Sequence, residues 1–286
     1  MENRITSMTV ENSLSDKLKM NKVCLVDADY IKHITSSRAS KIIEKEFIED
    51  LPTMKQVYRV EALGMCSDLL HKIRDPMIFC FSGKSYNTFR YKISIQKEYK
   101  GNRKNDNLTF EERKLKLELM NEAMEAIMAE HVTLIFDDLE ADDIVSMLQD
   151  DDTYILSKDK DLKQIQGYHY NFETNKTVLI TPEEAIRFLA TQLLTGDDTD
   201  NIMGIKGCGP KTAEKILKDV TDKNLINAVF KEYKRVFGII KGTDLFCQNW
   251  MLIKLRMNHG EYFLKKYESA FSLLENIKKN HLTLNP

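Results

Sequence analysis

Acidic residues in this 286-residue chain recur in clusters at particular places. Asp27 follows the apolar run VCLV, and Asp137, Asp138, Glu140, Asp142 and Asp143 follow VTLIF. Asp159 and Asp161 come just after YIL, and Asp197, Asp198 and Asp200 lie in GDDTDN. Carboxylates brought together repel one another, and burying them is costly unless cations neutralise them. Oxygen donors without a Cys/His set suit Mg²⁺, or Mn²⁺ in its place, better than zinc. Two such ions can stabilise both the attacking and the leaving oxygen of a phosphodiester displacement. No histidine falls near these motifs, and none is needed as a general base.

Each cluster alone has an ordinary explanation. Asp27 could cap a strand end, and LEADDIV could open a helix, where acidic residues favour the first turn. KDKD could be a turn, and GDDTDN resembles a fragment of a calcium loop. Together, each after an expected strand or helix, they argue for one site.

The elements that must position them are legible as alternating patterns. Val23–Val26, Met77–Phe81, Val132–Phe136 and Tyr154–Leu156 are short, nearly continuous apolar or β-branched runs, as in strands buried on both faces of a parallel sheet. Helical spacing separates them: Met54–Ile73 carries Val57, Val60, Leu63, Leu69, Leu70 and Ile73. Thr109 to Glu112 reads as a capping box opening a helix whose Leu- and Met-rich stripe is core packing. The fold class is therefore α/β with a parallel sheet. In such sheets sites form beyond the carboxyl ends of the strands, where these carboxylates fall. After a possible strand at Thr177–Ile180, Thr181 to Glu184 opens a helix to about Leu194, and Pro210 begins another through Ile216. The last third is helical in tendency.

Net charge is −2, but it is segregated. Residues 84–104 hold seven basic residues and one acidic, whereas 137–161 hold ten acidic and two basic. A basic surface beside an acidic pocket suits a metal-dependent enzyme acting on a polyanion. The five cysteines are widely spaced without a CxxC pair, which indicates neither a zinc site nor a disulfide framework and fits a reducing compartment. Cys24 and Cys80 lie inside apolar runs and read as core thiols. No stretch approaches the roughly 18 apolar residues of a membrane span, and the N-terminus lacks the apolar core of a signal peptide.

The segment GIKGCGPK, Gly204 to Lys211, joins two expected helices. Glycines at 204, 207 and 209 permit close backbone approach and positive φ, and Pro210 suits a first helical turn. Exposed amides there, with Lys206 and Lys211, would meet DNA phosphates without reading sequence.

With these motifs in order, the sequence resembles the 5′ nuclease (flap endonuclease) family, in particular its stand-alone bacteriophage branch. The segments that carry the likeness are VCLVDADY, FRYKISIQKEYKGNRK, LEADDIV, ILSKDKDL and TGDDTDNIMGIKGCGPKTAEKIL, over about residues 23–217. The resemblance implies a PIN-like, mainly parallel sheet flanked by helices, a helical arch over about 84–130, and a helix–three-turn–helix DNA-binding element over about 183–219. Residues 1–20 form a partly disordered or peripheral lead-in, 21–180 the catalytic domain and 181–286 a helical region. By motif, Asp27, Glu140, Asp142 and Asp143 would serve a first metal, and Asp159, Asp161, Asp197 and Asp200 a second. Lys100, Arg103 and Arg90 would contact the reacting phosphate. Lys84, Tyr99, Lys104, Lys206, Gly207, Gly209 and Lys211 would contact DNA, and the loop of Gly204, Ile205, Gly207 and Gly209 would hold K⁺.

One departure stands out. The family carries an aspartate after its second strand, where this chain reads FSGKSYNTFR, with Ser82 or Gly83 at the position. Asp29 could compensate, because in an extended strand it would share a face with Asp27. The expected activity is structure-specific 5′-3′ exonuclease and flap endonuclease action in replication or repair, on DNA 5′ flaps, overhangs or junctions, and on RNA primers in hybrids. The resemblance further implies a cytoplasmic monomer, in a bacterial host if phage-encoded, working apart from its polymerase and beside it or a single-strand-binding protein. The alternative is a branched-DNA-binding protein of the same fold that has lost cleavage.

Overall fold

The computed structural model describes residues 9–11, 18–84, 87–102, 108–255 and 265–282. Seven strands form one sheet: β1 (Thr9–Glu11), β2 (Val23–Asp27), β3 (Met77–Ser82), β4 (Thr133–Phe136), β5 (Thr153–Leu156), β6 (Gly167–Asn171) and β7 (Lys176–Ile180), in the order β1-β7-β6-β5-β2-β3-β4. The five strands from β6 to β4 are parallel, while β7 runs antiparallel to both β6 and β1. The chain moves from β2 outward through β3 to β4 and then crosses back to β5 on the other side of β2. The order therefore reverses at β2, and a crevice opens outside the carboxyl ends of β2 and β5.

Alternation along β2 splits the core into two layers. Cys24 and Val26 face a cluster with Phe79, Phe81, Tyr154 and helices α1 (Ala28–Lys45), α2 (Leu51–Lys72) and α4 (Phe110–Glu130), the short α3 (Phe89–Ile93) lying between the last two in the chain. Val23 and Leu25 face Ile78, Cys80, Ile155, helix α5 (Ala141–Leu148) and the last helix, α10 (Glu268–Leu282). Cys24 and Cys80 are buried thiols, as expected. A third core joins α6 (Pro182–Thr195), α7 (Pro210–Leu217), α8 (Leu225–Phe237) and α9 (Ile239–Ile253). Among the described residues no helix is long and apolar enough to cross a membrane.

Several expectations are corrected. β4 lies at the sheet edge, with Ile135 38% exposed, so it is not buried on both faces. The buried stripe of α2 is Tyr58, Ala62, Met65, Cys66 and Leu69, while Val60 and Leu70 face solvent. Small and aromatic residues occupy the face that the aliphatic count placed elsewhere. Met120 of α4 is buried but Met128 is exposed. The described residues of the lead-in contact the domain: β1 extends the sheet, Leu18 joins the first core, and Asp75 accepts the amides of Met20 (2.7 Å) and Asn21 (3.0 Å). Both capping boxes form, at Thr109/Glu112 and Thr181/Glu184.

Candidate metal centre

Each acidic motif reaches the crevice because a strand delivers it there. Asp27 is the last residue of β2, and Ser157, just after β5, donates to its Oδ2 at 2.8 Å across the strand-order reversal. Glu140 is the N-cap of α5, so LEADDIV is both a helix start and a supplier of carboxylates. Asp159 caps a short 3₁₀ turn, its Oδ1 accepting the Asp161 amide at 2.8 Å. Asp197 is held by a two-residue ladder, β8 (Gly196–Asp197) with β9 (Ile202–Met203), and its Oδ1 accepts the Thr199 amide at 2.8 Å.

The carboxylates line two adjoining cavities. A cleft of about 470 Å³ takes Asp27, Asp29, Glu140, Asp142 and Asp159, together with Tyr30, His33, Ser82, Lys100, Lys158 and Lys160. A much smaller cavity takes Asp142, Asp161, Asp197 and Asp200. Asp142 lines both, and Asp159, grouped by motif with the second metal, lines the first. His33, one turn along α1, was invisible to a reading by motif; contrary to expectation, a histidine does stand near these acids.

The electrostatics are those of a site short of positive charge. Burial, then the neighbouring Asp29, pushes Asp27 up to about 7 against the Ser157 hydrogen bond. Burial, then Asp159 and Asp197, lifts Asp161 to about 7. Asp142 is driven well above the carboxylate range by burial and by Asp143, with Arg90 opposing. Glu140, Asp142 and Asp143 each offer an oxygen within 4.8 Å of the others. Hard oxygen donors that raise one another's affinity for protons fit a dication, which would relieve that repulsion.

Two members of the cluster already carry cationic partners. Arg90, 1% exposed, donates from Nη1 and Nη2 to Asp143 at 2.5 and 2.9 Å, from Nη1 to Glu140 at 2.8 Å, and from Nε to the Leu252 carbonyl at 2.8 Å. The guanidinium expected at a phosphate is thus folded into the interior, where its fork matches a carboxylate. Lys100 donates to Glu140 Oε1 and lines the cleft. Its φ of 56° is left-handed, a conformation that costs a non-glycine residue about 1–3 kcal/mol. Its amide donates to the Asp200 carbonyl at 3.0 Å, which fixes it there. Tyr99, expected at DNA, is 3% exposed, because its ring packs edge-on against Tyr91. Its hydroxyl lies 2.9 Å from Glu140 and 2.8 Å from Asp200 and can donate to either, linking the two cavities. Lys160 donates to Asp197 at 2.9 Å, and Gln192 to Asp161 at 2.5 Å.

Asp29 lies in the first turn of α1, not in an extended strand, because the helix begins at Ala28. Of the two candidates for the aspartate-lacking position, Ser82 lines the cleft and its Oγ accepts the Ala141 amide at 2.9 Å. Gly83 has no room for a side chain, since a Cβ would lie 2.4 Å from the Phe136 carbonyl oxygen. Lys84 is exposed; Arg103 and Lys104 fall outside the described residues.

In the glycine loop the three glycines do different things. At Gly204 a Cβ would sit 2.2–2.5 Å from backbone atoms of Leu194, Thr195 and Gly196, so close approach forbids a side chain. Gly207 has φ +80°, and Gly209 caps α7 at ordinary dihedrals. The Ile205 amide ties the loop to the Leu194 carbonyl at 2.8 Å. Lys206, Gly207, Gly209 and Lys211 are exposed, and Ile205 is buried.

A mostly parallel sheet with buried carboxylates converging where its strand order reverses defines an α/β protein with an acidic centre of the kind that divalent cations fill. The family profile described as "5′-3′ exonuclease, N-terminal resolvase-like domain" matches residues 25–188, and the chain belongs to that family. A 5′-3′ exonuclease of Buchnera aphidicola (subsp. Acyrthosiphon pisum) is 33% identical over 207 residues, 65% of each chain. The DNA polymerase I of Rhizobium leguminosarum is 31% identical over 137 residues, which are 41% of this chain and 13% of that protein. A 5′-3′ exonuclease of Mycoplasmopsis pulmonis is 28% identical over 130 residues, 37% of each chain. These matches thus span much less than two thirds of the last two relatives. Among solved structures, the T5 5′-exonuclease with bound zinc superposes with a TM-score of 0.60 at 19% identity, over 91% of this chain and 98% of that one. The T5 flap endonuclease in complex with DNA and metal ions gives 0.55 with the same coverage and identity. At that identity the likeness establishes the shared fold.

Proposed function

We propose that this chain is a divalent-metal-dependent 5′ nuclease that hydrolyses DNA phosphodiesters at single-strand/duplex junctions, flaps and overhangs. The observation that carries the reading is the convergence of Asp27, Asp142, Asp159, Asp161, Asp197 and Asp200 on two adjoining cavities outside the carboxyl ends of the sheet. Relatives named 5′-3′ exonucleases support it. Asp27, Asp142 and Asp159 would hold one Mg²⁺ or Mn²⁺, and Asp161, Asp197 and Asp200, with Asp142 between them, a second. When bound, such a pair supplies charge stabilisation to the attacking and leaving oxygens. Glu140 and Asp143, held by Arg90 and Lys100, orient the rest.

Lys100 borders the same cleft, as Lys158 and Lys160 do, and would meet a non-bridging phosphate oxygen, exchanging Glu140 for it. Lys206, Lys211 and the amides at the start of α7 would hold duplex phosphates, which positions the strand without reading bases. The carbonyls of Gly204, Ile205, Gly207 and Gly209 would take K⁺. The Ile205 carbonyl accepts the Cys208 amide and keeps a second lone pair, whereas that of Gly209 accepts the amides of both Thr212 and Ala213 and would have to release one. Within the proposed arch, about 84–130, the first half of α4 is largely exposed, with Leu117 at 61%. The test is a 5′-labelled flap duplex with DNA or RNA in the 5′ strand, incubated with Mg²⁺ or EDTA. Short labelled products in Mg²⁺ alone support the reading. Binding without products supports the non-cleaving alternative, which the neutral Ser82 on the cleft wall favours.

A further inference from the structure

The cleft around Asp27 has an acidic residue that the mechanism above leaves without work. Asp29 lines that cleft with Asp27, Asp142 and Asp159. Asp27 ends β2 and Asp29 stands two residues on, in the first turn of α1, so both border the cleft from that side.

On the opposite wall, Asp142 apart, the polar groups already have partners. Glu140 accepts from Arg90 and Tyr99 on Oε2 and from Lys100 on Oε1. Both oxygens of Asp143 accept from Arg90. Ser82, at the end of β3, is neutral and its hydroxyl accepts a backbone amide. A dication in the cleft therefore meets negative charge on Asp142 and Asp159 and, on the α1 side, on Asp27 and Asp29. Asp29 pairs through Oδ1 with Lys32 at 3.1 Å, one turn along α1, with side chains 26% and 18% exposed. A pair between neighbours on one helix contributes little.

We infer that Asp29 supplies a ligand oxygen to the divalent ion held by Asp27 and Asp142, providing on α1 the charge that Ser82 does not provide on β3. This rests on the two-ion reading above. Affinity for hard cations follows the number and charge of oxygen ligands. Lys32 is then the ion's competitor for Asp29, and removing it strengthens the site.

The test is Mn²⁺ binding to the full chain without DNA, by calorimetry and electron paramagnetic resonance. The wild type is compared with Asp29→Asn, Lys32→Met and the double variant Asp29→Asn/Ser82→Asp. The expected result is two ions on the wild type, with one weakened about ten- to a hundredfold by Asp29→Asn. Lys32→Met should tighten the same ion, and Ser82→Asp should recover affinity in the Asp29→Asn background. If Asp29→Asn binds both ions as the wild type does, the inference is overturned and the two-ion reading stands. If the wild type binds no Mn²⁺, the two-ion reading fails and takes the inference with it. Should Asp29→Asn not fold, Lys32→Met decides: tighter binding supports the role, and unchanged binding overturns it.

Discussion

Arg90 and Asp143 are locked fork to fork, at 2.5 and 2.9 Å, with both side chains shut off from solvent. Removing one partner of a buried pair leaves the other charged and uncompensated, at a cost of about 3–5 kcal/mol. Arg90→Met should therefore lower unfolding free energy by that order in urea denaturation. Arg90→Lys should recover only part of it, because an ammonium cannot serve both oxygens and Glu140 together. A residue that served only to touch substrate would leave the denaturation midpoint where it is.

The glycines give a prediction with two signs. Gly204→Ala forces a Cβ into backbone of the preceding helix end and should cost about 1–3 kcal/mol. Gly64 lies exposed inside α2, and a Cβ there meets nothing within 4 Å. Gly64→Ala should gain about 0.5–1 kcal/mol from helix propensity. Thermal melts of the two variants should move in opposite directions.

His169 on β6 sets a pH dependence. Burial holds its imidazole down to about 4 from 6.5, while its Nε2 stands 2.8 Å from the Ile165 carbonyl. The unfolded chain thus binds the proton more readily than the folded one between those values. The histidine's contribution is present in full above pH 6.5 and is lost as pH falls toward about 4. The difference in unfolding free energy between the wild type and His169→Gln, measured across pH 8 to 4, should shrink on the acid side. A difference independent of pH would refute the assignment.

How much was legible in the sequence follows from what each residue needed. The strands before Asp27, Ser82 and Asp159 were visible because buried parallel strands are unbroken apolar runs. β6, which reads GYHYN, carries no such run and was missed; its place comes from pairing with β5 and β7. The acidic residues could be found by their positions after strands, but their division between two cavities could not. Asp142 lines both because α5 begins between them. The inward turn of Arg90 and Tyr99 was hidden for a different reason. A basic or phenolic side chain in a basic segment reads as a surface contact until the buried acids it pairs with are placed in space. His33 escaped notice because only the turn of α1 brings it to the cleft.

The proposed metal-dependent cleavage depends on Asp159. It lines the main cleft, and its substitution removes charge without removing volume. The measurement is single-turnover cleavage of a 5′-flap duplex by the wild type and Asp159→Asn over a Mg²⁺ titration, with junction binding measured in Ca²⁺. The expected result is Mg²⁺-dependent cleavage by the wild type, slowed at least about 100-fold in Asp159→Asn, with binding of the junction nearly unchanged. Equal cleavage rates for the two proteins at every Mg²⁺ concentration would contradict it.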